Sequence, residues 1–143
     1  MNQHAAEIQL RDTFIDEITF RRNPGFSREL SNVSFAFTLS DDSEYHEDSG
    51  QIVTKMVIEV KKGSENVELP FTFRIVMGGI FQVENADQQH LEIMKKVNCP
   101  AILFPFLREA IASITRKAGF PPLYIPVINF AGRSSGSGLK KKQ

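Results

Sequence analysis

The chain of 143 residues is long enough for one domain with a modest core, and its 17 basic and 17 acidic side chains cancel. Zero net charge argues against a dedicated nucleic-acid binder, because such proteins carry a basic face. A single cysteine excludes an intramolecular disulfide and a cysteine-rich zinc site.

The first residues, MNQHAAEIQL (1–10), are mostly polar and predict a flexible N-terminus. They lack the apolar segment of a secretory signal. No apolar run in the sequence reaches the length of a membrane span. We therefore expect a cytoplasmic protein that does not insert into a membrane.

Alternating apolar and polar residues predict four strands in the first half of the chain, over 13–21, 31–40, 51–62 and 66–77. No helical pattern separates them, so we expect an antiparallel sheet. The intervening DDSEYHEDSG is polar and predicts a loop. A pair of glycines follows the fourth strand and predicts its end, with a short strand or crossover at IFQVEN.

The spacing of apolar residues changes to that of helices after residue 87. Leu91, with apolar residues three and six positions later, predicts a short helix. A second helix is predicted from about 104 to 118, with Pro105 in the first turn, where its missing N–H costs little. Gly119 then ends that helix.

Two further segments complete the chain. FPPLYIPVINF (120–130) holds three prolines and predicts a stiff, extended, apolar loop. Residues 131–143 are small, polar and basic, which is typical of a disordered tail. The predicted fold class is α+β, with a four-stranded antiparallel sheet followed by two helices in one domain over 11–130.

Few residues have a pattern that indicates catalysis or metal binding. His4, His46 and His90 lack metal-type spacing. His46 lies among five carboxylates, which fits a metal loop but fits a solvated hairpin loop better. Cys99 has no base beside it and is more typical of a small buried hydrophobe than of a nucleophile. GGIF lacks the residues of a phosphate-binding loop. We expect no enzyme activity, no metal and no cofactor.

The segment ILFPFL (102–107) is apolar on every side of its helix. A single sheet face cannot cover a helix all round. The helix therefore lies between two layers or in a subunit interface, which predicts a homo-oligomer. The loop at 120–130 adds apolar area and could line a hydrophobic groove.

These same segments resemble a known family. GGIF, then CPAILFPFLREAIASITRKAGFPPLYIPVINF, and upstream FIDEITFRRNP, closely resemble the SecB export chaperones over residues 11–130. The resemblance implies a cytosolic homotetramer, a dimer of dimers with helices sandwiched between sheets. It implies a chaperone without enzyme activity or cofactor, which holds unfolded or precursor polypeptides in hydrophobic grooves and delivers them to the motor SecA.

The resemblance also implies roles for individual residues. Its second-strand and loop positions match a client-binding groove formed by Val33, Phe35, Phe37, Phe120, Leu123, Tyr124, Ile125 and Phe130. Its fourth-strand and helix positions match an oligomer interface formed by Phe73, Ile75, Met77, Phe106 and Ile111. Ordinary core is the alternative for each of them, and for Val33, Phe35 and Phe37 it stays open.

The sequence departs from the family at the face expected to contact SecA. Glu17 keeps one carboxylate there, but Arg21 and Arg74 stand where two others are expected. The chain also ends in a basic tail and is neutral overall. These departures leave delivery to SecA open. The alternatives are a SecB-like chaperone dedicated to an antitoxin or other single partner, a scaffold for one folded partner, and an enzyme or small-ligand binder.

Overall fold

The computed structural model describes residues 5–27, 33–62 and 68–132, and the backbone of 138–142. Its sheet is antiparallel and has the strand order β1-β4-β3-β2-β5. The strands are β1 (Glu7–Arg22), β2 (Ala36–His46), β3 (Gln51–Val60), β4 (Phe71–Glu84) and β5 (Gly138–Lys142). The predicted four-stranded antiparallel arrangement is confirmed for β1 to β4. Residues 28–32 and 63–67, at the ends of predicted strands and between them, lie outside the described residues.

β1 and β2 extend beyond their predicted limits, and β5 forms where no strand was predicted. β1 begins at Glu7, within the segment predicted to be flexible. β2 continues to His46, so only the second half of the predicted polar loop forms a turn, which ends at Gly50 with a positive φ of 68°. The C-terminal tail was predicted to be disordered, but residues Gly138–Lys142 pair with Ala36–Ser40 of β2.

The two glycines lie inside β4 and do not end it, contrary to the prediction. A methyl group on Gly78 would overlap the ring of Phe14, which lies over it. A Cβ on Gly79 would lie 3.1 Å from the side chain of Leu103, on the opposite face of the sheet. The absence of a side chain thus lets Phe14 approach the strand closely at Gly78 and leaves a tight fit for Leu103 at Gly79, and the strand continues to Glu84.

A β-bulge at Asp16 changes which residues of β1 share a face. Ile15 pairs with Met77 and Glu17 pairs with Val76, so Asp16 is an additional residue in β1. Phe14 consequently faces away from the side that holds Ile18. A simple alternation of side chains would place these two on the same face.

The helical region is continuous and does not form two separate helices. α1 (Gln88–Ile93) passes through one wider turn, Met94–Asn98, into α2 (Cys99–Lys117). Pro105 lies inside α2 and not in its first turn, which holds Pro100. Pro105 is exposed, as is the residue four positions earlier, so the carbonyl group that it leaves unpaired can bond to water.

One face of α2 packs across β3 and β4 and forms the core with them. Ile58, Ile75, Leu103, Leu107 and Ile111 are fully buried there. The helical segment 88–117 is long and apolar enough to cross a membrane by length and composition, which is weak evidence because core helices pass the same test. Its buried residues belong to the core that it forms with the sheet.

Candidate functional site

A group of aromatic rings lies on the helix-bearing side of the sheet. The ring of Phe71 in β4 lies 4.9 Å from that of Phe35, 4.9 Å from that of Phe120 and 5.1 Å from that of Phe20, measured between centroids. Phe20 also stacks on Phe73 at 6.3 Å. We call these five residues the phenylalanine cluster. Its ring contacts connect four parts of the chain: β1, the segment before β2, β4 and the loop after α2.

The loop at 120–130 is attached to α2 by directed hydrogen bonds. Thr115 is buried, donates its hydroxyl to the carbonyl of Ile111 at 2.9 Å and accepts the N–H of Leu123 at 2.9 Å. Arg108 Nε donates to the carbonyl of Ile125 at 2.8 Å. The loop is therefore held in a fixed extended path along the helix, although it has no regular structure of its own.

The predicted groove residues have very different exposures. Phe37, Ile125 and Phe130 are at most 3% exposed and Phe35 is 7% exposed, so the structure places them in the core. Val33, Phe120 and Leu123 are half-buried, and Tyr124 is 59% exposed. The residues of this set that a bound chain could contact are thus Val33, Phe120, Leu123 and Tyr124.

The predicted interface residues are mostly covered by their own chain. Phe73, Ile75, Met77 and Ile111 are at most 5% exposed, because α2 packs over this face of the sheet. In the single chain these four side chains offer little surface to a partner, and their role in an interface stays a prediction. Phe106 alone among the five is substantially exposed, at 45%.

The structure also exposes apolar residues that were not assigned to a site from the sequence. Ile15 and Ile18 of β1 are 47% and 45% exposed. Both lie on the same side of the sheet as α2, and α2 contacts β1 along this edge. Val127 of the loop is 74% exposed. Ile15 was missed because the bulge at Asp16, which was not recognised, places it on the same face as Ile18.

The opposite face of the sheet is charged. Arg74 Nε lies 2.9 Å from Glu17 Oε2, and Arg74 Nη1 lies 3.9 Å from Glu59 Oε1. Lys55 pairs with Asp16 at 2.6 Å on the same face. The structure thus brings together Glu17 and Arg74 of the residues predicted to face SecA, while Arg21 lies nearer the end of β1, opposite Thr72.

The titratable groups perform structural tasks. Burial raises the pKa of the Cys99 thiol from 9.0 to about 12, which keeps it protonated and unreactive. The N–H of His90 donates to Asp87 at 2.8 Å, and this hydrogen bond lowers the pKa of the carboxyl group that caps α1. No cluster of metal ligands occurs among the residues that the structure describes.

Comparison with known proteins assigns the chain to a class of chaperones. A family model described as "Preprotein translocase subunit SecB" matches residues 1–133. A protein-export protein SecB from Methylobacillus flagellatus is 32% identical over 110 residues, which cover 77% of this chain and 63% of that protein. The chain belongs to the SecB family.

Other relatives match over shorter segments. A protein-export protein SecB from Bradyrhizobium sp. is 41% identical over 69 residues, which cover 48% of this chain and 43% of that protein. A protein-export protein SecB from Cereibacter sphaeroides is 38% identical over 80 residues, which cover 56% of this chain and 48% of that protein. The matched segments thus span about half the length of these curated relatives.

A solved structure has the same fold. A Mycobacterium tuberculosis SecB-like chaperone, in complex with a ChAD peptide from the HigA1 antitoxin, aligns with a TM-score of 0.63. The alignment covers 85% of this chain and 91% of that chain, at 12% sequence identity. A similarity at this identity supports the SecB-like fold that we predicted from the sequence.

Proposed function

We propose that this protein is a chaperone that binds unfolded polypeptides and keeps them competent for export. One observation carries the proposal. Half-buried and exposed apolar residues, Phe120, Leu123, Tyr124 and Val127, lie on one loop that hydrogen bonds fix to α2, beside the phenylalanine cluster. A surface that must accept many sequences uses broad apolar area, and few placed polar groups.

The mechanism that this surface supports is reversible binding. An extended client segment would cover the exposed side chains of the loop and so remove apolar area from water. The loop pays little ordering cost, because Thr115 and Arg108 already hold it against the helix. No bond is made or broken, so the proposal requires no nucleotide, metal or cofactor.

The direct test is suppression of aggregation. An unrelated unfolded protein is diluted from denaturant with and without the purified chain, and light scattering is recorded. We expect scattering to fall as the chain approaches stoichiometric amounts. If it suppresses none of several unfolded proteins and binds only one folded partner, the protein is a dedicated scaffold and the proposal fails.

We also propose that the protein assembles as a homotetramer, a dimer of dimers, in the cytoplasm. Ile15 and Ile18 on the exposed edge of the sheet, with Phe106 on the flank of α2, are the apolar residues best placed for the subunit interface. Helices would then be sandwiched between sheets of different subunits. SecA would contact the charged face around Glu17, with an affinity reduced by Arg74 and Arg21.

A further inference from the structure

A cavity of about 660 Å³ lies at the end of the sheet, beside the phenylalanine cluster. Its apolar wall includes Leu69 and the edge of Phe71. Asn23 shapes the cavity by donating its side-chain amide to the carbonyl of Leu69 at 2.9 Å, and its backbone N–H to that of Pro70 at 2.8 Å. The volume lies within the range of about 300–1,000 Å³ that is common for ligand pockets.

The rim of this cavity is strongly basic. Among the residues that the structure describes, Arg21, Arg22 and Lys62 line it, together with one carboxylate at Glu68. Three cations against one anion leave a surplus of two positive charges in a chain whose net charge is zero. The local potential therefore favours an anionic group on whatever enters.

One of these cations is already placed over the cluster. The guanidinium of Arg22 lies 5.4 Å from the centroid of the Phe120 ring, in a cation–π contact. Phe120 in turn contacts Phe71, which borders the cavity. The apolar surface of the cluster and the basic cavity are thus continuous, so one extended client segment can engage both.

We propose that this cavity selects among client segments by taking an apolar side chain that is flanked by carboxylates. The inference rests on the proposed chaperone function and adds a preference to it. The apolar side chain packs against the half-buried Leu69, and aspartate or glutamate on either side pairs with Arg21, Arg22 or Lys62. A client segment flanked by lysines meets like charges at the same rim and binds more weakly.

The test compares two labelled peptides of equal length, each with one central phenylalanine. Aspartates flank it in one peptide and lysines in the other, and binding to the full chain is followed by fluorescence anisotropy. We expect the aspartate peptide to bind about three- to tenfold more tightly at low salt, as exposed ion pairs allow. The difference should shrink at high salt, because the pairs are screened.

Two variants test whether the rim causes the preference. Arg21→Glu with Lys62→Glu should reverse it, and Arg21→Lys with Lys62→Arg should retain it. Arg11→Glu reverses one charge on β1, half the change of the double variant, at about 30 Å from the cavity along the strand. It should also retain the preference. Thermal melting checks that each variant is folded.

Equal affinities of the two peptides for the wild-type chain would overturn the inference. An unchanged preference in the Arg21→Glu, Lys62→Glu variant would overturn it too, since the preference would then come from elsewhere. Either result, together with full suppression of aggregation, leaves the chaperone function standing. If the wild-type chain does not suppress aggregation, both proposals fail.

Discussion

The guanidinium of Arg74 lies 2.9 Å from the carboxylate of Glu17, across neighbouring strands on the face opposite α2. Glu17 is the one acidic residue that the sequence keeps at the face expected to contact SecA. Its charge is therefore already paired within the chain, and Arg74 also approaches Glu59 at 3.9 Å. A basic partner surface would meet a locally neutralised patch.

Reversing the charge at position 74 should make this face of the sheet acidic. In Arg74→Glu combined with Arg21→Glu, Glu17 and Glu59 lose their partner and the face becomes strongly negative, with Lys55 still paired to Asp16. If charge alone limits SecA binding, we expect the affinity to rise by about tenfold or more, as removal of like-charge contacts allows. Surface plasmon resonance with purified SecA measures it.

Arg74→Gln is the matched control for this prediction, because it removes the charge without reversing it, and it should give an intermediate gain. An unchanged affinity in both variants would show that charge at this face is not what limits binding. The basic C-terminal segment would then be the remaining difference to test.

The subunit interface can be tested by contrasting exposed with buried positions. Phe106→Asp and Ile18→Asp place a charge on side chains that are 45% exposed in the single chain. We expect both variants to fold but to form smaller assemblies, since an unpaired charge in an apolar interface is costly. Ile75→Asp places the charge in the core, where Ile75 is fully buried, and should unfold the chain.

Analytical ultracentrifugation and circular dichroism separate these outcomes. If the Ile75→Asp variant folds but forms smaller assemblies than the wild-type chain, the interface includes β4, as the sequence predicted. Wild-type-sized assemblies of both Phe106→Asp and Ile18→Asp would contradict the interface proposed from the structure.

The sequence predicted the strands better than it predicted their faces. Alternation identified β1 to β4 because apolar and polar residues alternate along most of each strand, and this pattern is visible without any partner. It could not reveal the bulge at Asp16, since one additional residue leaves the composition of a strand unchanged. For that reason the sequence did not predict that the side chain of Ile15 lies exposed at this apolar edge of the sheet.

Proline and glycine were misread for a related reason. Proline usually interrupts a helix and glycine usually interrupts a strand, and predictions from local sequence follow this usual behaviour. Pro105 and Gly78 were interpreted in that way. Their tolerance here depends on tertiary placement. Pro105 lies on the exposed side of α2, and the ring of Phe14 lies over Gly78. The loop at 120–130 was correctly expected to be extended, but its attachment through Thr115 depends on a contact that no sequence pattern shows.

Thr115→Val should loosen this loop without changing the volume of the side chain greatly. The variant leaves the N–H of Leu123 without the hydroxyl that accepts it at 2.9 Å. We expect a loss of about 1–3 kcal/mol in the free energy of unfolding, as for an unsatisfied buried donor. Urea unfolding measures this loss.

Hydrogen exchange of the same variant should be faster at 120–125 than in the wild-type chain. Thr115→Ser is the control, because it keeps the hydroxyl and should retain slow exchange. Identical exchange in the Thr115→Val variant would contradict the role of Thr115 as the anchor of the loop.

The stability of the protein should depend on Cys99 at high pH. Burial raises its pKa from 9.0 to about 12, so the folded state holds this proton more tightly than the unfolded state. The contribution of Cys99 is constant below pH 9.0, and stability is lost as the pH rises from there towards about 12. Acid conditions do not change the contribution of Cys99 to the free energy of unfolding.

Cys99→Ala removes this titration and is the comparison, because other groups also titrate at high pH. We expect the free energy of unfolding to fall less steeply above pH 9 in the variant than in the wild-type chain. Iodoacetamide should modify Cys99 only after unfolding. Parallel pH profiles, or rapid modification of the folded chain, would contradict the burial of this thiol.

The central claim is that unfolded polypeptides bind at the loop beside the phenylalanine cluster. A photo-crosslinking residue at Tyr124, which is 59% exposed on that loop, tests it most directly. The same residue at Glu59, on the opposite face of the sheet, is the control. We predict crosslinks from position 124 to an unfolded client, none to the same client when folded, and few from position 59. Equal crosslinking from both positions, or none from position 124 while aggregation is suppressed, would contradict this account of the site.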